Sequence, residues 1–272
     1  MENSKKRLMK LDFRIPVAET EDEVHVHLIG PPKKIEEEKG RLPAVIFSHG
    51  FTVCGFESHR LFIKIGERLA SNGFISILFD YRGSGYSDRH FEEITFSDMI
   101  SDLRSVYKYF TKYEKVDSNK IGVIGQSLGS SVAICALKDV KVRAFVLMGV
   151  EFNMYETFEK WLGIEKIKRI YQDGKICLDK GYYLTREFLE DIKRYDLVAC
   201  IKEIKAPVLI IQAEKDTITP VHEARKLYEY VHEPKNFIIM KGANHSYKCQ
   251  LDLEDELILH IIKWFQKHLM TP

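Results

Sequence analysis

The stretch Lys120-Ile-Gly-Val-Ile-Gly-Gln-Ser-Leu-Gly129 limits what this chain can fold into more tightly than any other. An apolar run, Ile121 to Ile124, gives way to Gly125-Gln126-Ser127-Leu128-Gly129, and the helix-compatible Ser131-Val-Ala-Ile-Cys-Ala-Leu-Lys138 follows almost at once. The order is strand, sharp turn, helix, with a serine at the apex. Gly-x-Ser-x-Gly in that setting has the form of a nucleophile elbow, where a strained backbone lifts the hydroxyl clear of the sheet. Glycine suits positions 125 and 129 because a Cβ there would collide where strand and helix pass closely.

The flanking sequence alternates in the way such an elbow requires. Residues 10 to 29 carry the period of two half-buried antiparallel strands. Buried-strand patterns follow at Leu42 to Ser48, Phe74 to Phe79, Ile121 to Ile124, Arg143 to Gly149, Ala206 to Ala213 and Asn236 to Met240. Between them lie amphipathic helices, for example Leu61, Phe62, Ile65 and Leu69 on one face. Thr95-Phe-Ser-Asp98 has the form of a capping box before the apolar face Met99, Ile100, Leu103, Val106 and Phe110. Near-continuous apolar strands alternating with helices specify a mostly parallel sheet covered on both faces, an α/β fold. Ligands of such sheets bind beyond the carboxyl ends of the strands, where His49, Asp80 and Ser127 all fall.

Residues 150–199 break the alternation. A helix from Met154 to Tyr171 is predicted first, then a hairpin over Lys175 to Leu184 turning near Asp179-Lys-Gly181. A second helix uses Leu184, Phe188, Leu189 and Ile192. The nine aromatic residues between Phe152 and Tyr195 are too many for a solvated linker. The segment reads as a lid of helix-hairpin-helix type, with residues 1–149 and 200–272 forming the core domain.

A serine hydroxyl needs a base within hydrogen-bond reach, and that base needs an orienting carboxylate. Asp216 follows the strand ending at Ala213, and His245 follows the strand ending at Met240, so the order serine, acid, histidine places each on a loop after a strand. His222, His232, His260 and His268 fall on or at the ends of helices and read as surface residues. An oxyanion needs two preorganised donors. Leu128, next to the serine at a helix start, supplies one N–H, and Phe51, after His49-Gly50, supplies the other. His49 itself reads as a structural residue of that loop. Trp161, Tyr182 and Tyr183 are candidates to line a substrate pocket.

Other signals are bland. His25 and His27 share one strand face, but no ligand cluster accompanies them, so they read as solvent-facing and no metal is expected. Asp80-Tyr-Arg82-Gly-Ser-Gly85 lacks the Lys-Ser/Thr of a phosphate-binding loop and reads as a turn with a buried Asp or Arg. With 41 basic and 40 acidic side chains among 272 residues, nothing gathers the charge that nucleic acid or an anionic membrane would call for. The N-terminus lacks a signal-peptide core, and no apolar run approaches a membrane span. Residues 33–39 read as a charged surface turn. Five scattered cysteines, at 54, 135, 177, 200 and 249, read as reduced thiols of a cytoplasmic protein.

His49-Gly-Phe-Thr, Asp80-Tyr-Arg-Gly-Ser-Gly-Tyr-Ser-Asp, Gly125-Gln-Ser-Leu-Gly, Glu214-Lys-Asp-Thr and Gly242-Ala-Asn-His together resemble the α/β-hydrolase superfamily over nearly the whole chain. Within it the chain looks most like bacterial carboxylesterases that include the cinnamoyl and feruloyl esterases, which carry a small lid at the position of residues 150–199. The resemblance implies an α/β-hydrolase fold, a triad of Ser127, Asp216 and His245, and oxyanion N–H groups from Phe51 and Leu128. It implies a small-molecule ester substrate and no cofactor, in a monomer or homodimer. The same residues would serve an acyl thioesterase or a monoacylglycerol lipase, and a fold alone also admits a non-catalytic ligand-binding protein. Two features depart from the pattern: Ser130 stands where relatives often have a second glycine, and the lid does not follow those esterases residue by residue, so the resemblance does not carry aryl-ester specificity with it.

Overall fold

A computed structural model describes residues 7–31, 40–178, 181–248 and 251–271. The predicted turn at residues 33–39, the hairpin tip at 179–180 and Cys249 lie outside the described residues. Eight strands form one sheet: β1 (Met9–Pro16), β2 (Glu23–Gly30), β3 (Leu42–Ser48), β4 (Ile75–Phe79), β5 (Val116–Gln126), β6 (Ala144–Met148), β9 (Val208–Ala213) and β10 (Lys235–Met240). Their spatial order is β1-β2-β4-β3-β5-β6-β9-β10. β1 pairs antiparallel with β2, and β2 with β4; every other neighbouring pair is parallel.

The interior strands are apolar on both faces because both faces are covered. Every residue of β4, β6 and β9 is buried. Helices α1 (Leu61–Ser71) and α9 (Leu251–Phe265) close one side, where Phe62, Leu69, Ile258, Ile261 and Phe265 pack on Phe47, Ile124 and Val146. On the other side lie α2 (Phe96–Phe110), α3 (Leu128–Leu137), α7 (Leu197–Glu203) and α8 (Val221–Tyr228). The Thr95 cap of α2 forms as read: its Oγ1 accepts the Asp98 N–H at 3.1 Å, and the Asp98 carboxylate accepts the Thr95 N–H at 2.9 Å. After β3 the chain passes to β4 on one side, and after β5 to β6 on the other. The carboxyl ends of β3 and β5 therefore flank the crevice where such sheets bind ligands.

Between β6 and α7 the chain forms α4 (Met154–Leu162), α5 (Ile164–Asp173), the two-stranded ribbon β7 (Lys175–Cys177) and β8 (Tyr183–Thr185), and α6 (Arg186–Ile192). The single helix predicted from Met154 to Tyr171 is in fact two. Gly163 takes φ 81°, a left-handed value that glycine adopts without strain, and divides them. Leu184 belongs to β8 and not to the following helix, whose start is set by Thr185 accepting the Phe188 N–H at 3.2 Å. Asp191 of α6 ties this segment to α2, accepting from the Ser97 N–H at 2.6 Å and Ser97 Oγ at 2.8 Å.

Three histidine readings need correction. His27 is only 9% exposed and its Nδ1 lies 2.7 Å from Asp12 Oδ1, while His25 lies between Asp12 and Asp80. The pairing of β1 with β2 and the loop after β4 cover the face that an isolated hairpin would leave to solvent. His268 is half-buried with its ring 4.3 Å from that of Trp264. Among the described residues, no group of three or more His, Cys, Asp or Glu side chains is placed to hold a metal ion, and no helix is long and apolar enough to cross a membrane.

Candidate active site

Ser127 sits between the end of β5 and the start of α3 with φ 52° and ψ −130°, a conformation that L-residues hold only under constraint from their surroundings. The constraint is visible. Its N–H donates to Met148 O at 2.8 Å, its carbonyl accepts the Ser130 N–H at 2.8 Å, and Ser130 Oγ donates to the same Met148 carbonyl at 3.0 Å. Ser130 thus adds a bond between α3 and β6 that a glycine could not make. A Cβ on Gly125 would come within 2.6 Å of Ser130 Cα, and one on Gly129 would run into the carbonyl oxygens of Ser48 and His49. Both glycines are required by close backbone approach.

The structure brings Ser127, His245 and Asp216 together. His245 Nε2 lies 3.0 Å from Ser127 Oγ, and its Nδ1 lies 2.8 Å from Asp216 Oδ2. Asp216 is 6% exposed and heavily bonded: Oδ1 accepts the Ile218 and Thr219 N–H groups at 2.9 Å each, and Oδ2 accepts from Thr219 Oγ1 at 2.9 Å. An acceptor-only carboxylate at Nδ1 favours the tautomer protonated there, which leaves Nε2 free to accept the serine proton. Gln126 Nε2 donates to His245 O at 2.9 Å and fixes the histidine loop to β5. Tyr247 Oη anchors the same loop by donating to Ile211 O at 2.7 Å.

Leu128 is the first residue of α3, where the N–H groups of a helix lack intrahelical partners. Phe51 lies in the turn after β3. That turn is held by Glu57, whose Oε1 accepts the Gly50 N–H at 2.6 Å, and by His49. His49 is 1% exposed. Its Nε2 accepts the Tyr81 N–H at 3.2 Å, so Nδ1 carries the proton and donates to Gly50 O at 2.8 Å. Burial pulls its pKa below the ordinary histidine value. Asp80 and Arg82 are both buried. Asp80 accepts the Gly55 N–H at 2.7 Å and the Tyr86 N–H at 2.9 Å, and Arg82 pairs with Asp102 at 2.6 Å and Asp22 at 3.0 Å.

A cavity of about 210 Å³ opens on Ser127 and His245. Phe51, Phe158, Trp161 and Ile218 give it apolar walls, and Thr52, Thr157 and Glu151 contribute polar groups. The Phe51 ring packs at 5.1 Å from both Phe158 of α4 and Phe188 of α6, so one core residue joins the inserted helices to the site. Of the three aromatics proposed from sequence, Trp161 lines the cavity. Tyr182 does not: its ring packs on Phe91 at 4.6 Å. Tyr183 does not either; it is 38% exposed beneath Lys175. The two tyrosines lie on or beside the β7-β8 ribbon rather than on the helices that face Ser127. A smaller recess, about 70 Å³, reaches the same serine from a polar side lined by Glu57, Gln126 and Ser246. Glu57, Glu151, Phe158 and Ile218 were not read from sequence. Only Glu151 had a signal, an acidic residue just past a buried strand end on the same sheet edge as Asp80 and Asp216.

This architecture is the α/β-hydrolase fold: an eight-stranded, mostly parallel sheet with helices on both faces. Residues 43–167 match the family model described as alpha/beta hydrolase fold. The chain is 25% identical to the putative esterase YitV of Bacillus subtilis, over 86% of this chain and 92% of that protein. It is also 25% identical to the palmitoyl-protein thioesterase ABHD10 of Bos taurus, over 79% and 71%. Est1E from Butyrivibrio proteoclasticus superposes with a TM-score of 0.78 at 16% identity, covering 96% of this chain and 99% of that one.

Proposed function

We propose that the protein is a serine carboxylesterase that works through an acyl-enzyme. The observation that carries this reading is the unbroken hydrogen-bonded series Asp216, His245, Ser127, with the serine on a strained turn at a cavity. His245, oriented by Asp216, takes the Ser127 proton as Oγ attacks the ester carbonyl. The N–H groups of Phe51 and Leu128 stabilise the tetrahedral oxyanion, a contribution of about 3 kcal/mol per donor in comparable sites. His245 then protonates the leaving alcohol, and water repeats the sequence to release the acid. Residues 150–199 act as a lid on the core formed by 1–149 and 200–272, with α4 supplying Phe158 and Trp161 to the acyl side.

The small cavity supports short acyl or aryl groups, cinnamoyl and feruloyl esters included, over long chains. The names of YitV and ABHD10 support ester or thioester chemistry. The free thiols Cys54, Cys135, Cys177 and Cys200 support a reducing, cytoplasmic setting. Hydrolysis of p-nitrophenyl esters from acetyl to palmitoyl, with a feruloyl ester included, tests the reading. Activity on short or aryl esters that disappears in folded Ser127→Ala is expected. A palmitoyl or thioester preference would move the protein to the lipase or thioesterase class. No activity, or equal activity in the variant, would overturn the triad and favour a non-catalytic binding protein.

A further inference from the structure

Glu151 has no part in the reaction as proposed, yet it lines the cavity. It lies two residues past Gly149 at the carboxyl end of β6 and is 3% exposed. Ser131 Oγ, on the helix headed by the nucleophile, donates to Glu151 Oε1 at 2.7 Å. Glu151 Oε2 is buried with no hydrogen-bond partner among the described residues. Buried polar atoms are nearly always bonded, so an orphan at a ligand cavity points to a ligand atom that completes it.

The protonation state decides what that atom is. Burial raises the Glu151 pKa, and the charge of Asp216 acts in the same direction, while Ser131, the Glu151 backbone N–H and His245 oppose them. Oε1 already accepts from Ser131, so the proton of the neutral acid belongs on Oε2, which becomes a donor. Resting on the esterase reading of Ser127, we propose that Glu151 selects acyl groups with an acceptor oxygen along the chain, to which its Oε2 donates. Phe51, Phe158 and Trp161 hold the apolar remainder of such a group.

The test uses matched p-nitrophenyl esters in which an ether oxygen replaces one methylene: methoxyacetyl against butanoyl, methoxypropanoyl against pentanoyl, and methoxybutanoyl against hexanoyl. An ω-aminoacyl ester is added as a cationic control. Ratios of kcat/KM are divided by the same ratios for uncatalysed hydrolysis. The wild type should favour the ether member of at least one pair by about tenfold, the value of one well-placed buried hydrogen bond. Glu151→Gln, whose amide keeps both an acceptor for Ser131 and a donor, should retain most of that preference. Glu151→Leu should bring the ratio to about one, with Glu151→Met in its place if thermal unfolding shows that the leucine variant does not fold. Equal treatment of every pair by the wild type, a preference that survives in the apolar variant, or a preference for the aminoacyl ester would each overturn the inference. Ser127-dependent hydrolysis without discrimination removes this inference alone; absence of any Ser127-dependent hydrolysis removes the esterase reading with it.

Discussion

The Gly50 N–H donates to Glu57 Oε1 at 2.6 Å, and through that bond a buried carboxylate holds the turn that carries Phe51. Glu57 Oε2 also accepts the Ser58 N–H at 2.9 Å, so the side chain bridges both ends of the loop. On the proposed esterase reading, Glu57 is a positioning residue. Glu57→Ala should lower kcat by about tenfold to a hundredfold with a smaller change in KM, because a misplaced oxyanion donor weakens the transition state more than the ground state. Glu57→Gln keeps one acceptor and should restore much of the loss. Steady-state kinetics on a short p-nitrophenyl ester decide it. A loss confined to KM would show that Glu57 binds substrate instead.

Asp216→Asn should lower kcat by about ten-thousandfold, since an amide in place of Oδ2 no longer holds His245 in the tautomer that accepts from Ser127. It should also destabilise the fold by about 1–3 kcal/mol, because Asp216 accepts from Ile218 N, Thr219 N and Thr219 Oγ1, and an amide nitrogen cannot replace both oxygens. Kinetics beside chemical denaturation separate the two effects. Retention of more than about a tenth of wild-type kcat would remove Asp216 from the role assigned to it.

Local pattern made the sheet legible because burial on both faces writes itself as continuous apolar runs, as in Val208 to Ala213. The elbow was legible for a similar reason: the spacing of Gly125, Ser127 and Gly129 encodes a backbone path. Ser127, Asp216 and His245 could be picked out because each follows a strand, and the structure brings them within hydrogen-bond reach. Glu57 could not be read, since its partner Gly50 lies seven residues away across a non-repeating loop whose path no period specifies. Tyr182 and Tyr183 misled because their composition suits a pocket while the ribbon that carries them stands away from Ser127. The break at Gly163 was missed because α4 and α5 carry a helical period on both sides of it.

Gly129→Ala should be among the most destabilising single changes in the chain, by about 4 kcal/mol or more. The added methyl meets the backbone oxygens of Ser48 and His49, which cannot move without parting β3 from α3. Ser48 Oγ also donates to Gly129 O at 2.6 Å, so the same contact is already drawn tight. Gly163→Ala is the control, with open space around its Cβ and a cost confined to its φ of 81°. The midpoint of urea unfolding for the two variants is the measurement, and equal shifts would refute the close-approach argument.

His49 predicts a specific acid sensitivity of the fold. Its ring is 1% exposed, donates from Nδ1 to Gly50 O and accepts at Nε2 from Tyr81, so a proton at Nε2 would face an N–H donor at 3.2 Å. Burial sets its folded pKa below the ordinary value of 6.5, although Asp80 and the Gly50 carbonyl act the other way. Below 6.5 the unfolded chain takes up the proton while the folded chain does not. The His49 contribution to stability is therefore complete above that pH and falls as the pH drops, by up to about 1.4 kcal/mol per pH unit for one such group. His268 is shifted the same way by its own burial and adds to the slope. Burial raises the Asp102 pKa to about 6 and raises that of Glu151 as well, so these two carboxyls gain stability as the pH falls and oppose the histidines; the His49 contribution is read from urea unfolding between about pH 5 and 7 as the difference between wild type and a His49 variant. His49→Gln should be less stable at neutral pH, because it breaks the two loop bonds, yet should lose less stability than wild type as the pH drops across that window. An equal slope in wild type and variant would mean that His49 binds its proton in the folded loop as readily as in the unfolded chain.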